Sequence, residues 1–200
     1  MMASIEETHF PLSEQPGSDC SNIDKKRIAQ YLIKGPYLSK KEIDLKIQQH
    51  LQFLQNGGAG GKWQMVHLKG LVVALYFGRE ALEGKQATFE LQRISPRSDL
   101  QKVVLPFSNF CASELIGVNF QEADLSYSVL TDTLAKEINF EGANLAYTDF
   151  TRANLRGANF RNANLFGADF ENCDLTDANF CGANLNQAKF PGATLRNVQI

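Results

Sequence analysis

From Leu100 to Ile200 a large apolar residue stands at every fifth position, and of these 21 positions only Ala135 departs. Leu and Phe alternate strictly from Phe140 to Leu195. Two residues before each stands a small or β-branched one, as at Ala143, Ala153, Ala163, Cys173 and Ala183. The residue between them is usually Asn or Asp, as at Asn144, Asn154 and Asp169. A period of five matches neither a helix nor a strand. It fits a backbone that turns one corner per repeat, so that the large and the small residue both point inward. Gly142, Gly157, Gly167, Gly182 and Gly192 fall at the corner, where glycine tolerates positive φ. The Asn or Asp side chain can accept a hydrogen bond from its own backbone there.

Upstream the pattern is helical. Ile28, Tyr31 and Leu32 give an apolar face to a helix over about 23–33, which Gly35-Pro36 stops. Ser39-Lys40-Lys41-Glu42 is a capping box. Ile43, Ile47, Leu51 and Leu54 then form one stripe, ended by Asn56-Gly57-Gly58. Leu68 and Val73, five apart, predict a first coil, and 76–97 break the period as an inserted hairpin or loop. Residues 1–20 are polar and are expected to be a disordered tail.

Ala153-Asn154-Leu155-Arg156-Gly157 and Ala163-Asn164-Leu165-Phe166-Gly167 read A-(D/N)-L-x-x. In these residues the chain resembles the pentapeptide-repeat family. The resemblance implies an all-β solenoid, a right-handed quadrilateral β-helix of about five coils with four repeats in each. The stretch from His50 to Lys62 resembles the leader of bacterial members, a helix ending H-x-x-W-L before a glycine-rich turn, with Phe53 in place of Trp. It implies an α-helical amino-terminal cap, which an open solenoid end needs to cover core and unpaired strand edges. The expected organisation is a tail at 1–20, a helical cap at 21–61, a first coil with an inserted hairpin or loop at 62–97, and a β-helix at 98–200. At Ala135 a bulge or loosened coil is expected over 131–138, with Leu134 turned inward.

Charge and chemistry narrow the function. The 200 residues carry a net charge of −2. Residues 1–95 hold 12 Lys/Arg against 10 Asp/Glu, and 96–200 hold 8 against 12. Neither half has the basic excess of a nucleic-acid-binding domain. No apolar run approaches the roughly 20 residues of a membrane span, and the start lacks the features of a secretory signal. Cys20, Cys111, Cys173 and Cys181 show no paired spacing. Reduced thiols and a cytoplasmic location are therefore expected. By their places in the repeat Cys173 points inward, and Cys111 and Cys181 outward.

The Gly57–Lys62 loop fails the phosphate-loop pattern, because Asn56 and Trp63 stand where Gly and Ser or Thr are needed. His50 and His67 lack Cys or carboxylates at ligand spacing. No catalytic residue, metal or cofactor is expected, and no enzyme.

Residues 20 apart should stack on one face. Tyr127 and Tyr147, with Phe166 beside the next step, then form an exposed aromatic strip suited to a protein partner. Lys136, Arg156 and Arg196 line another face, interrupted by Thr176, and Asp169, Glu171, Asp174 and Asp177 cluster on one coil. The expected function is a non-enzymatic protein–protein interaction scaffold. The alternative implied by the resemblance is a DNA-mimicking protein that binds and protects DNA gyrase, which requires a long negative face. Leu195, Val198 and Ile200 carry the core to the last residue, so a weak homodimer through the carboxyl-terminal coil is also expected.

Overall fold

A computed structural model describes residues 36–55, 62–68, 71–77, 89, 91–96 and 98–200. Helix α1 (Lys40–Gln55) precedes an antiparallel pair, β1 (Lys62–Leu68) and β2 (Leu71–Phe77). The rest is a solenoid. Parallel bridges join residues 20 apart, as in Asn119↔Asn139, Asp124↔Asn144, Val129↔Asp149 and Leu134↔Asn154. These four bridges lie one per side, so each coil is four-sided.

The five-residue pattern explains the core. Residues ten apart lie on opposite sides, so strict alternation puts Phe on two sides and Leu on the other two. Phe160 stacks on Phe140 and Phe180 at 5.4 and 4.8 Å, and meets Phe150 and Phe170 edge-on at 5.9 and 5.7 Å. Both geometries suit aromatic quadrupoles. Each corner is a tight turn: the Ala153 N–H donates to the Phe150 carbonyl at 2.8 Å. The second corner residue is left-handed, with φ of 60° at Arg152 and 67° at Gly167. That conformation costs an ordinary residue about 1–2 kcal/mol. Bonds to the next coil offset the cost, such as the Arg152 N–H to the Glu171 carbonyl at 2.8 Å.

The Asn and Asp between the inward residues do two jobs. Asn159 Oδ1 accepts the Arg161 N–H, while its Nδ2 donates to Asn139 Oδ1 on the previous coil at 3.0 Å. Asn139 in turn donates to Asn119 at 3.0 Å. A second column runs from Asp124 through Asn144 and Asn164 to Asn184. The turn bonds were expected; the columns were not.

The predicted bulge is absent. Ala135 N–H donates to Asn154 O at 2.9 Å in full register, and Leu134 stays half-buried on the outer side. Ile138, where Ala is usual, is fully buried and supplies core volume that the methyl of Ala135 lacks.

The first coil also differs from expectation. It begins with Phe89, stacked on Phe110 at 4.7 Å, and Ile94, whose N–H donates to Glu114 O at 2.9 Å. One extra residue between Ile94 and Leu100 shifts the frame and hides both from the five-residue count. Leu68 and Val73 are not that coil. They lie in the β1–β2 ribbon, paired from Lys62↔Phe77 to Leu68↔Leu71, so the hairpin falls at 62–77.

Helix α1 starts as predicted. The Ser39 N–H and hydroxyl donate to Glu42 at 2.8 and 2.6 Å, and the Glu42 N–H returns to Ser39 Oγ at 3.3 Å. These bonds hold the Glu42 carboxyl below its ordinary pKa. The buried stripe is Ile43, His50 and Phe53 with Ile47 half-buried, whereas Leu51 is 38% exposed. Ile43 belongs to the same buried cluster as Phe89 and the coil core, and the Lys46 ammonium lies 5.6 Å from the Phe89 ring centre. Tyr37 forms a rung above the first coil by bridging to Arg93, which bridges to Glu114. The Leu38 N–H donates to Arg93 O at 2.8 Å. Arg93 grips Glu114 through two bonds of 3.0 and 3.1 Å, and its guanidinium sits 4.2 Å from the Tyr37 ring centre.

The expectation about thiols is corrected at one site. Cys173 and Cys181 are free, Cys173 buried and Cys181 half-buried. Cys111 is fully buried and disulfide-bonded, its partner outside the described residues. The same first-corner place is buried at Ser126, Thr131 and Thr176, so a small side chain there need not face outward. The proposed tail at 1–20 and helix at 23–33 lie outside the described residues. Among the described residues no helix is long and apolar enough to cross a membrane.

Candidate interaction surface

One corner of the solenoid carries aromatic side chains on successive coils. Phe107, Tyr127 and Tyr147 stack with ring centres 5.1 Å apart at each step. Phe166 ends the column edge-on to Tyr147 at 5.4 Å. All four are half-buried. Phe107, Tyr127 and Tyr147 occupy the left-handed corner position, with φ of 63°, 58° and 58°. Gly167 continues that position, and an added Cβ would lie 2.8 Å from the Tyr147 ring. The glycine thus leaves room for the ring to lie flat.

Phe107, Tyr127 and Tyr147 pack face to face and keep part of their surface exposed. Partial burial, helped by Tyr147, raises the Tyr127 phenol above its ordinary pKa. Beside the column Val104 is 43% exposed. The spacing rule places Tyr127, Tyr147 and Phe166 together; it also contained Phe107, 20 residues before Tyr127, which sequence reasoning passed over.

Lys136, Arg156 and Arg196 fall on another corner and are all exposed. They do not form a bare positive line. Arg156 lies 3.4 Å from Asp174 and 3.9 Å from Asp177, so the basic line meets the acidic cluster. Partial burial raises the Asp174 carboxyl, but hydrogen bonds from Thr176 and Arg156 outweigh it, leaving its pKa lowered. Other pairs mix the signs elsewhere: Arg152 binds Asp132 at 2.6 Å, Lys102 lies 3.4 Å from Glu122, and Lys189 lies 3.9 Å from Asp169.

Burial lowers the His50 pKa, partly offset by a hydrogen bond with the Pro106 backbone. Burial pushes the Cys173 thiol up to about 12, and its Sγ donates to Phe150 O at 2.8 Å. That is the chemistry of an inert core thiol. Among the described residues no group of three His, Cys, Asp or Glu could hold a metal ion.

Comparison with known proteins agrees with this geometry. Residues 103–180 match the family model for a pentapeptide repeat region, and 163–199 match that for pentapeptide repeats in eight copies. Over residues 103–199 the chain belongs to the pentapeptide-repeat family. Similar solved structures include the pentapeptide repeat protein Rfr23 from the cyanobacterium Cyanothece 51142, 34% identical with a TM-score of 0.41. The match covers 48% of this chain and 63% of Rfr23. AT2G44920 from the Arabidopsis thaliana thylakoid lumen is 26% identical over 49% of this chain and 63% of its own, with a TM-score of 0.40. QnrB1, a plasmid-mediated fluoroquinolone resistance protein, is 18% identical over 54% of this chain and 64% of its own, with a TM-score of 0.45. The chain thus spans less than two thirds of each. No curated protein matches it.

Proposed function

We propose that this chain is a non-catalytic scaffold that binds a protein partner along the Phe107–Tyr127–Tyr147–Phe166 corner. The observation that carries the reading is the column itself: four half-exposed aromatic rings in line on a stiff solenoid. Aromatic residues concentrate in binding surfaces because they bury large area at little conformational cost. The core rings below them hold the corner in place, so little ordering remains to be done on binding. Imitation of DNA would need an unbroken negative face. The pairs at Arg152, Arg156, Lys102 and Lys189 interleave both signs instead.

The test is affinity capture from the native host with wild type, Tyr127→Ala/Tyr147→Ala and Lys136→Ala/Arg196→Ala. The tyrosine variant should lose the captured protein by tenfold or more while its circular dichroism stays unchanged. The basic variant should keep it. Equal capture by the tyrosine variant would refute the assignment.

A further inference from the structure

We propose that the partner segment received by the Phe107–Tyr127–Tyr147–Phe166 corner is basic, a lysine- or arginine-bearing stretch of polypeptide whose cationic ends pair with Asp124 and Asp149. This rests on the aromatic reading above and adds the charge of the partner.

Charge around the corner is one-sided. The stretches 104–109, 124–129, 144–149 and 164–169 form the corner and the two sides that meet there. They hold Asp124, Asp149 and Asp169 and not one Lys or Arg. Asp124 stands at the outward middle of one side, three residues before Tyr127. Asp149 stands at the middle of the other, two residues after Tyr147. The two carboxylates thus flank the rings. The other three corners carry both signs: Glu122 and Arg161 on one, Asp132 and Arg152 on the second, Glu137 and Arg156 on the third.

The two aspartates keep capacity for a partner. Asp124 accepts the Ser126 N–H and hydroxyl at 3.0 and 2.7 Å, and the Asn144 amide at 3.0 Å. Asp149 accepts the Thr151 N–H at 2.8 Å. All these bonds fall on Oδ1, which leaves Oδ2 of each carboxylate to accept from outside. Asp169 differs, because Lys189 lies 3.9 Å away. The charge of Asp149 reaches Arg152, but that guanidinium is held by Asp132 through bonds of 2.8 and 2.6 Å.

A lysine or arginine side chain suits both parts of this surface. Its aliphatic stem packs on the rings while its cationic end makes a charge-assisted hydrogen bond to a carboxylate. Val104, 43% exposed beside the column, extends the apolar strip for a neighbouring apolar residue. An acidic segment or a phosphate backbone would meet like charge on both flanks.

Selection from a display library of random twelve-residue peptides on the wild-type chain tests the proposal. Enriched peptides should be basic, and their affinity should fall tenfold or more on Asp124→Asn/Asp149→Asn. That variant keeps the turn, since Asn accepts the same bond at Asn144 and Asn164. Tyr127→Ala/Tyr147→Ala should lose the same peptides. Glu171→Gln/Asp174→Asn removes as much charge elsewhere and should bind them within threefold of wild type. No enrichment, enrichment without basic excess, or equal binding by the two charge variants would overturn the proposal. Peptides that need the tyrosines but not the aspartates would refute the charge and leave the aromatic corner standing. Peptides that ignore the tyrosines would remove the corner itself.

Discussion

Single residues in this fold take their meaning from position within the five. Phe160 is fully buried between four other rings, while its neighbour Arg161 is exposed and takes part only through its backbone. Phe160→Asp removes ring contacts worth about 3–5 kcal/mol and buries a charge as well. It should abolish cooperative unfolding, whereas Arg161→Asp should shift stability by less than about 0.5 kcal/mol. Thermal melts of equal midpoint would contradict the inward–outward assignment. Gly167 is the second case. Its φ of 67° strains any residue with a Cβ, and the ring of Tyr147 lies 2.8 Å from where that methyl would go. Gly167→Ala should cost about 1–2 kcal/mol and change the near-ultraviolet tyrosine signal, because Tyr147 must tilt. A tyrosine signal identical to wild type would show that the ring does not lie over the glycine.

Elements differ in how far the sequence announced them. The coils were plain because every repeat states the same pattern, and the capping box marked the start of α1 correctly. The first coil was hidden because one extra residue before Leu100 moved Phe89 and Ile94 out of phase, although they are themselves five apart. The ribbon was misread because Leu71–Phe77 is apolar throughout and carries no alternation. The stripe of α1 was right at Ile43 and Ile47 but erred at Leu51, which is exposed, because His50 was not credited as a core residue, yet it is fully buried. Three of the four rings of the aromatic corner were legible from the 20-residue spacing, and Phe107 was passed over. The Tyr37–Arg93–Glu114 cluster could not be foreseen, since it unites residues up to 77 apart with no repeat to relate them. This cluster, together with Ile43, fixes α1 to the solenoid end. A chain shortened to begin at Lys62 should therefore aggregate or unfold without cooperativity, as measured by light scattering and calorimetry. A soluble monomer with an unchanged melt would make α1 a mere appendage.

Among the described residues the coils form a stack whose two ends are unlike. At one end Ile43 and the Tyr37 rung lie over the core. At the other, Leu195 is 52% and Ile200 88% exposed, with Leu185, Phe190 and Val198 half-buried. Pairing of two such ends about a two-fold axis would bury them, but one coil cross-section is small beside a standard interface. The 200-residue chain should thus form a weak, concentration-dependent dimer that Leu195→Glu/Ile200→Glu abolishes. Sedimentation equilibrium decides it, and a variant that dimerises as well as wild type would exclude this contact.

Everything above rests on coils of 20 residues built from inward positions five apart. Because each coil contacts only its neighbours, one can be removed without disturbing the pattern of the rest. Deletion of residues 141–160 takes out one whole coil; deletion of 144–160 takes out 17 residues and moves every later Phe and Leu into the narrow inward place of a small residue, and every later Ala to a corner. The measurement is calorimetric unfolding of the two proteins side by side. The 20-residue deletion should melt in one cooperative transition at a lower temperature than wild type, and the 17-residue deletion should show none. Cooperative melting of both at the same temperature would contradict the coil assignment.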